Sequence, residues 1–215
     1  MWGMPAAKLG GVALATLAIG LAACGGDDGD ETTAQEPAKG NQRARVPDLN
    51  RFLMRKDEEP GFRRVEQART ISGTKAYVDD MRLPPADARR LRSEGLISFT
   101  SQPTRGPRAA GVTNVALFAT AEGAKRHMAH ELRPNVIRGM GPIEDLRFFS
   151  ATDIPGARGW TASLPGEPAS HAVGNLWWVQ GRCVLVLGNQ GPGRLVGPLS
   201  TGARAIYERT RGECP

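Results

Sequence analysis

Two histidines one helical turn apart, His127 and His130, are the side chains of this chain best suited to chemistry. Residues three apart on a helix share a face, so the two imidazoles could bind one metal ion. The segment 127–131 is neither His-Glu-x-x-His nor His-x-x-Glu-His, and only His171 remains elsewhere as a third imidazole. We therefore interpret the pair as polar residues on the wet side of an amphipathic helix, and we predict no metal site and no cofactor.

Two further patterns match catalytic or phosphate-binding motifs only in part. Ser72 and Lys75 have the Ser-x-x-Lys spacing of penicillin-recognising enzymes, but the chain contains neither Ser-Asp-Asn nor Lys-Thr-Gly. The glycine-rich stretch 188–197 precedes a predicted helix, yet it lacks the Gly-Lys-Ser/Thr of a phosphate loop. We attribute both matches to chance and predict no catalytic residue.

Trp177 and Trp178 are adjacent in a predicted strand, so their rings point to opposite faces of the sheet. One indole is expected in the core. The other is a candidate ligand or partner contact, because exposed tryptophan favours binding surfaces, and burial under a helix is the alternative. The tryptophan pair is therefore the candidate binding feature of the folded domain.

The start of the chain has the features of an exported protein. Residues 9–23 are uncharged and end in small side chains, which is shorter than a membrane-spanning helix and typical of a signal peptide. The sequence Leu21-Ala22-Ala23-Cys24 resembles the lipobox of bacterial lipoproteins. That resemblance implies cleavage after residue 23 and a diacylglyceryl group on the sulfur of Cys24. The alternatives are an ordinary signal peptide or an anchor helix with a chance cysteine.

The charge pattern divides the rest of the chain into a tether and a domain. Residues 24–45 are acidic and almost without apolar side chains, so we predict a flexible tether. Residues 46–215 form one predicted extracytoplasmic domain, and from residue 41 onward the chain has 26 basic and 17 acidic side chains. The arginines are scattered, which indicates a diffuse basic surface. The predicted location is the outer face of the cell membrane, and it argues against nucleic acid as a partner.

The chain contains three cysteines, a number consistent with export to an oxidising compartment. If Cys24 is acylated, Cys183 and Cys214 remain as a pair that favours a disulfide. Cys183 opens a predicted strand, and Cys214 follows a predicted helix that runs back antiparallel to it. The predicted disulfide therefore joins the last helix to the sheet.

The apolar periodicity predicts strands in hairpins with helices inserted between them. The fold class expected is α+β, an antiparallel sheet with helices packed on it. The order of elements recurs around residues 97–133 and 178–211, which suggests two similar halves. Helices are predicted over residues 47–54, 85–92, 121–133 and 195–209, and strands over 62–66, 96–102, 111–119, 145–151, 158–164, 171–179 and 182–187, with 72–83 ambiguous.

The lipobox, the acidic tether and the α+β domain together resemble envelope lipoproteins of high-GC Gram-positive bacteria. The segment Ile154-Pro155-Gly156-Ala157-Arg158-Gly159 and the hairpin 178–187 look like elements that recur in that group. Some of its members look similar to extracellular sensor domains of membrane kinases, which implies binding of a small molecule, a lipid or an envelope protein without catalysis. We therefore expect a binding or sensing module. The alternatives are an envelope hydrolase and a structural wall-associated protein.

Overall fold

A computed structural model describes residues 47–58, 64–107, 109–167, 171–211 and 214. The predicted signal peptide 1–23, the predicted lipidation site Cys24 and the predicted tether 24–45 lie outside the described residues. Within the described ranges, no helix is long and apolar enough to cross a membrane.

Within the part of the chain that the structure describes, eight strands form one antiparallel sheet, as the hairpin pattern predicts. The spatial order is β1-β3-β4-β8-β7-β6-β5, and β2 pairs with a second stretch of β3 beside β1. The central strands β4, β8 and β7 are the most apolar, because both of their faces are covered. The strands are β1 Arg64–Val65, β2 Arg69–Ser72, β3 Leu96–Arg105, β4 Ala110–Phe118, β5 Glu144–Ser150, β6 Arg158–Ser163, β7 His171–Gln180 and β8 Cys183–Pro192.

The described residues contain five helices, and two of them have recognisable capping residues. The side chain of Thr120 accepts a hydrogen bond from the backbone of Gly123 at the start of α3, and Gly95 ends α2 in a left-handed conformation. The segment 47–54 contains only a short 3-10 turn over Asn50–Phe52. The helices are α1 Thr74–Met81, α2 Pro85–Glu94, α3 Ala121–Glu131, α4 Pro134–Gly139 and α5 Val196–Thr210.

Four elements differ from the sequence-based expectations. The helix predicted over 47–54 is only the 3-10 turn Asn50–Phe52. The helix predicted over 121–133 ends at Glu131, and Pro134 occupies the first turn of an extra helix, α4, where its missing N–H is not needed. An additional strand, β2, ends at Ser72, where the ambiguous region 72–83 begins, and that region contains α1. The strand β8 continues to Pro192, because the glycine-rich residues after Leu187 still pair with β4 and β7. The start of that glycine-rich stretch is therefore strand.

One side of the sheet, called the first face, is packed by α5 and by the segment 47–58. The guanidinium of Arg209 on α5 contacts both carboxylate oxygens of Glu58, at 2.5 and 2.9 Å, and also donates to the carbonyl oxygen of Leu53. The disulfide Cys183–Cys214 is present, as predicted, and connects the end of this helical region to β8. The apolar core on this face includes Leu49, Phe52, Leu176, Trp178, Leu185, Leu187, Leu199, Ala203 and Ile206.

The opposite side, called the second face, is covered by shorter helices. Helices α2 and α3 pack over β4, β8 and β7 around a core that contains Phe118, Met128 and Trp177. Helix α4 covers Trp160 and Ala162 of β6 through the buried Ile137. The second face is thus closed by several short helices rather than by one long helix.

The two similar halves suggested by the sequence correspond to β3-β4-α3 and β7-β8-α5. Strands β4 and β8 are antiparallel neighbours at the centre of the sheet. The two-fold axis that exchanges such neighbours is perpendicular to the sheet, so the rotation maps each face of the sheet onto itself. Helix α3 lies on the second face and α5 on the first, so the repeated order is not a rotational repeat.

Candidate functional site

A cluster of charged side chains joins α2 to α3 on the second face. Arg90 contacts Glu94 at 3.0 Å (Nη1 to Oε2) and Glu131 at 2.9 Å (Nη2 to Oε1). His127 Nδ1 lies 2.9 Å from the same Glu94 oxygen. Glu94 is only 5% exposed, so its charge needs these partners. We call Arg90, Glu94, His127 and Glu131 the α2–α3 ion cluster.

The electrostatics of the α2–α3 ion cluster favour the charged states of its two best-connected members. Burial by itself would raise the pKa of Glu94, but the hydrogen bond and charge of His127, together with Arg90, lower it below its ordinary value. Burial opposes the charge of Arg90, yet Glu131 and Glu94 hold the Arg90 pKa above its usual value. Nearby, burial and the charge of Glu131 raise the pKa of Tyr77 to about 12.

The α2–α3 ion cluster corrects the sequence-based interpretation of the histidines. His127 does not lie on the wet side of α3: its ring contacts Glu94 and packs 4.9 Å from the ring of Phe118. Its carboxylate partner lies 33 residues away on another helix, which sequence spacing could not reveal. No group of three or more metal-ligating side chains that could hold an ion occurs among the described residues.

Chemically, the α2–α3 ion cluster has a histidine oriented by a carboxylate, which is part of a general-base arrangement. His127 contacts Glu94, Arg90, Glu131 and two aromatic rings, and these contacts include no hydroxyl or thiol of a described residue. The charged side chains of the α2–α3 ion cluster neutralise one another between the two helices. The arrangement therefore suits holding α2 against α3.

The other residues singled out by the sequence are distributed over the fold. Ser72 ends β2, whereas Lys75 is exposed on α1 and is paired with Asp79 at 2.6 Å, so the two do not share the start of one helix. Trp177 and Trp178 point to opposite faces, as predicted, and both are buried, with 8% and 0% exposure. Neither indole is an exposed platform.

A pocket of about 320 Å³ opens where the end of α3 meets the outer strands β5 and β6. Register pairs Phe148 with Trp160 and Ser150 with Arg158, which puts these four side chains on the second face. The ring of Phe149 packs where Gly159 has no side chain, since a Cβ there would collide with that ring. We call the lining residues the β5–β6 pocket: Leu132, Phe148, Phe149, Ser150, Arg158 and Gly159.

The β5–β6 pocket has apolar walls and one cation. Phe148 is 50% exposed, one of the few large apolar side chains of the described residues that is not covered. Arg158 is exposed and forms no ion pair with a described residue. One feature of the sequence could have indicated this pocket: two consecutive phenylalanines in a predicted strand, whose side chains must point to opposite faces.

Comparison with known proteins identifies a similar fold. No protein-family model matches the chain, and no curated protein matches it. The chain is similar to the extracellular domain of PknH from Mycobacterium tuberculosis, with a TM-score of 0.50 and 10% sequence identity. The match covers 74% of this chain and 94% of that domain. Sequence identity at this level relates the two proteins by fold alone.

Proposed function

We propose that this protein is a membrane-anchored extracytoplasmic lipoprotein that binds a ligand or partner without catalysing a reaction. Its lipid-modified residue is Cys24, and the domain from residue 46 is the binding module. The partner is a small molecule, a lipid or another envelope protein, and nucleic acid is not among the partners. The protein carries no cofactor.

The observation that carries this proposal is the fold that the chain shares with the extracellular domain of PknH from Mycobacterium tuberculosis, a high-GC Gram-positive bacterium. The disulfide Cys183–Cys214 supports an oxidising compartment. Among the described residues, His127 contacts no hydroxyl or thiol that could act as a nucleophile, and this supports binding over hydrolysis. The exposed, cationic β5–β6 pocket supplies a place for a ligand.

Anchoring is tested by fractionating cells of a high-GC Gram-positive host that express the full chain or Cys24→Ser. Because two acyl chains hold a protein firmly at a bilayer, the wild type is expected in salt-washed membranes and labelled by alkyne-palmitate. Cys24→Ser is expected to lose both properties. The double variant Cys183→Ser/Cys214→Ser replaces the other two cysteines by serine and is the matched control. This variant should stay in the membrane. Equal membrane retention of Cys24→Ser would refute lipid anchoring.

Binding is tested by native mass spectrometry of the protein purified from its own envelope. The expected spectrum contains the protein with a reproducible added mass that disappears after denaturation. A spectrum of the unliganded chain alone, together with hydrolysis of envelope components that is lost in His127→Ala, would favour the hydrolase. Retention of a macromolecular partner instead of a small mass would still support a binding module.

A further inference from the structure

We propose that the β5–β6 pocket binds one single-chain amphiphile with an anionic head group. This inference rests on the proposed binding function and assigns a site and a ligand class to it. The observations behind it are the pocket volume of about 320 Å³, its apolar walls and its arginine without an ion pair to a described residue.

The walls of the β5–β6 pocket determine the apolar part of the ligand. Leu132 and the ring of Phe148 flank the opening on the second face, and Phe148 remains half exposed, whereas the ring of Phe149 points to the first face. An exposed phenyl group beside a depression gains free energy when apolar atoms cover it. A volume of this size admits one alkyl chain segment rather than the paired chains of a phospholipid. The pocket therefore suits a single apolar chain.

Arg158 determines the charge of the head group. Its guanidinium is the one charged group of the pocket, and no carboxylate is among the lining residues. Guanidinium binds carboxylate and phosphate in a two-point geometry, which makes an anionic head the complementary partner. The hydroxyl of Ser150 stands opposite Arg158 in register and adds a second donor on the same face.

A third donor lies next to Arg158 on the adjoining strand. Trp177 pairs with Arg158 in register, so both side chains are on the second face. The indole Nε1 of Trp177 is buried and makes no hydrogen bond to a described residue. Buried donors usually have a partner, and an anion held by Arg158 would supply one. Trp177 is not among the lining residues of the pocket, so its contact with the ligand stays a prediction.

The charge of Arg90, by contrast, is already neutralised. Arg90 contacts Asp87, Glu94 and Glu131, so an anion would have to displace existing partners. Arg158 has no such competitor among the described residues. The difference selects the β5–β6 pocket over the α2–α3 ion cluster as the site for an anionic ligand.

The test uses the mature chain from residue 24 to residue 215 with Cys24→Ser, which retains the tether and the domain and needs no detergent. Isothermal titration calorimetry measures binding of monomeric dodecyl phosphate, and dodecyl maltoside is the neutral comparison. We expect saturable one-to-one binding of the phosphate and at least about ten-fold weaker binding of the maltoside. Equal binding of both amphiphiles would overturn the proposal.

Three variants locate the site. Arg158→Gln is expected to weaken dodecyl phosphate binding at least about ten-fold, and Phe148→Ala by about ten-fold through lost apolar contact. Arg147→Gln is the matched control, because Arg147 is exposed, has no ion pair with a described residue and faces the other side of the sheet opposite Thr161. It should change binding by less than about two-fold. An equal loss in Arg147→Gln and Arg158→Gln would show non-specific attraction and refute the site.

A vesicle experiment separates a single bound amphiphile from a membrane surface. If the protein binds phosphatidylglycerol vesicles but not monomeric dodecyl phosphate, the pocket proposal is wrong. If neither probe binds while native mass spectrometry still finds a retained mass, the assigned pocket fails and the binding function stands. Thermal unfolding of each variant checks that the exposed substitutions leave the domain folded.

Discussion

The two faces of the sheet are stabilised by different means. The first face is packed by one long helix, α5, and is cross-linked by the disulfide Cys183–Cys214 and by the Arg209–Glu58 pair. The second face is packed by α1 to α4, and the α2–α3 ion cluster holds two of these helices together. At the outer strands of the second face, the exposed ring of Phe148 lies beside Arg158, which has no ion pair to a described residue.

This difference separates stability from binding in the molecule. One cross-linked helix packs the first face, whereas the shorter helices of the second face leave a gap where α3 ends over β5 and β6. Substitutions on the first face should therefore change the free energy of unfolding without changing affinity. Substitutions at the β5–β6 pocket on the second face should change affinity without changing the free energy of unfolding.

The largest effect is expected from removing the cross-link of the first face. The disulfide joins residues 31 apart, and opening a loop of that size should lower the free energy of unfolding by about 3 to 4 kcal/mol. Urea unfolding of Cys183→Ser/Cys214→Ser, compared with the wild type, measures this loss. Dodecyl phosphate affinity measured where both proteins are folded should be unchanged. A matching loss of affinity would contradict the separation of the two faces.

A smaller effect is expected from the α2–α3 ion cluster. Glu94→Gln removes the charge that Arg90 and His127 share, and we expect a loss of about 2 kcal/mol in the free energy of unfolding. Asp79→Asn is the matched control, because its pair with Lys75 is exposed and should contribute no more than about 0.5 kcal/mol. If both variants lost the same amount, the cluster would be no more than a surface ion pair.

The lowered pKa of Glu94 predicts that the free energy of unfolding depends on pH in the acid range. The pKa of Glu94 is lower in the folded chain than its ordinary value of about 4.3, so its stabilising contribution is present above that pH. The contribution is lost as the pH falls below about 4.3 through the folded-state pKa. Unfolding of the wild type between pH 6 and 3 should therefore be steeper in pH than unfolding of Glu94→Gln. Parallel curves would contradict this assignment.

The smallest effect is expected from Tyr77, which packs against Phe99 beneath α1. Its pKa is raised to about 12 by burial and by Glu131, so the neutral phenol is favoured in the folded chain. The contribution of the neutral Tyr77 phenol to the free energy of unfolding is complete below about pH 10 and is lost as the pH rises toward 12. Tyr77→Phe should have nearly wild-type stability at pH 7 and a weaker alkaline loss. Absorbance titration of the tyrosinate measures the shift directly.

Much of the sheet could be predicted because its signals are local. The hairpin β7–β8 has two apolar runs joined at Gly181, whose positive φ suits a tight turn. Thr120 and Gly95 have the capping roles that their sequence positions indicate. The disulfide and the opposite faces of the two tryptophans also follow from spacing alone.

The remaining features depend on contacts that are distant in sequence. His127 is only partly exposed because Glu94 contacts it from another helix, whereas the apolar pattern of α3 alone places it on the polar side. Strand β8 extends through glycines because neighbours on both sides supply its hydrogen bonds. Phe148 is exposed because β5 is the edge of the sheet, and strand order cannot be derived from one sequence.

The central claim is that the ligand binds on the second face and leaves the first face unchanged. The adjacent indoles of Trp177 and Trp178 report on the two faces separately. In a titration of the Cys24→Ser mature chain with dodecyl phosphate, followed by the nitrogen-15 resonances of the indole Nε1–H groups, we predict saturable shifts for Trp177 and Trp160 and none for Trp178. A shift of Trp178 alone, or no shift of Trp177 at saturation, would contradict the account.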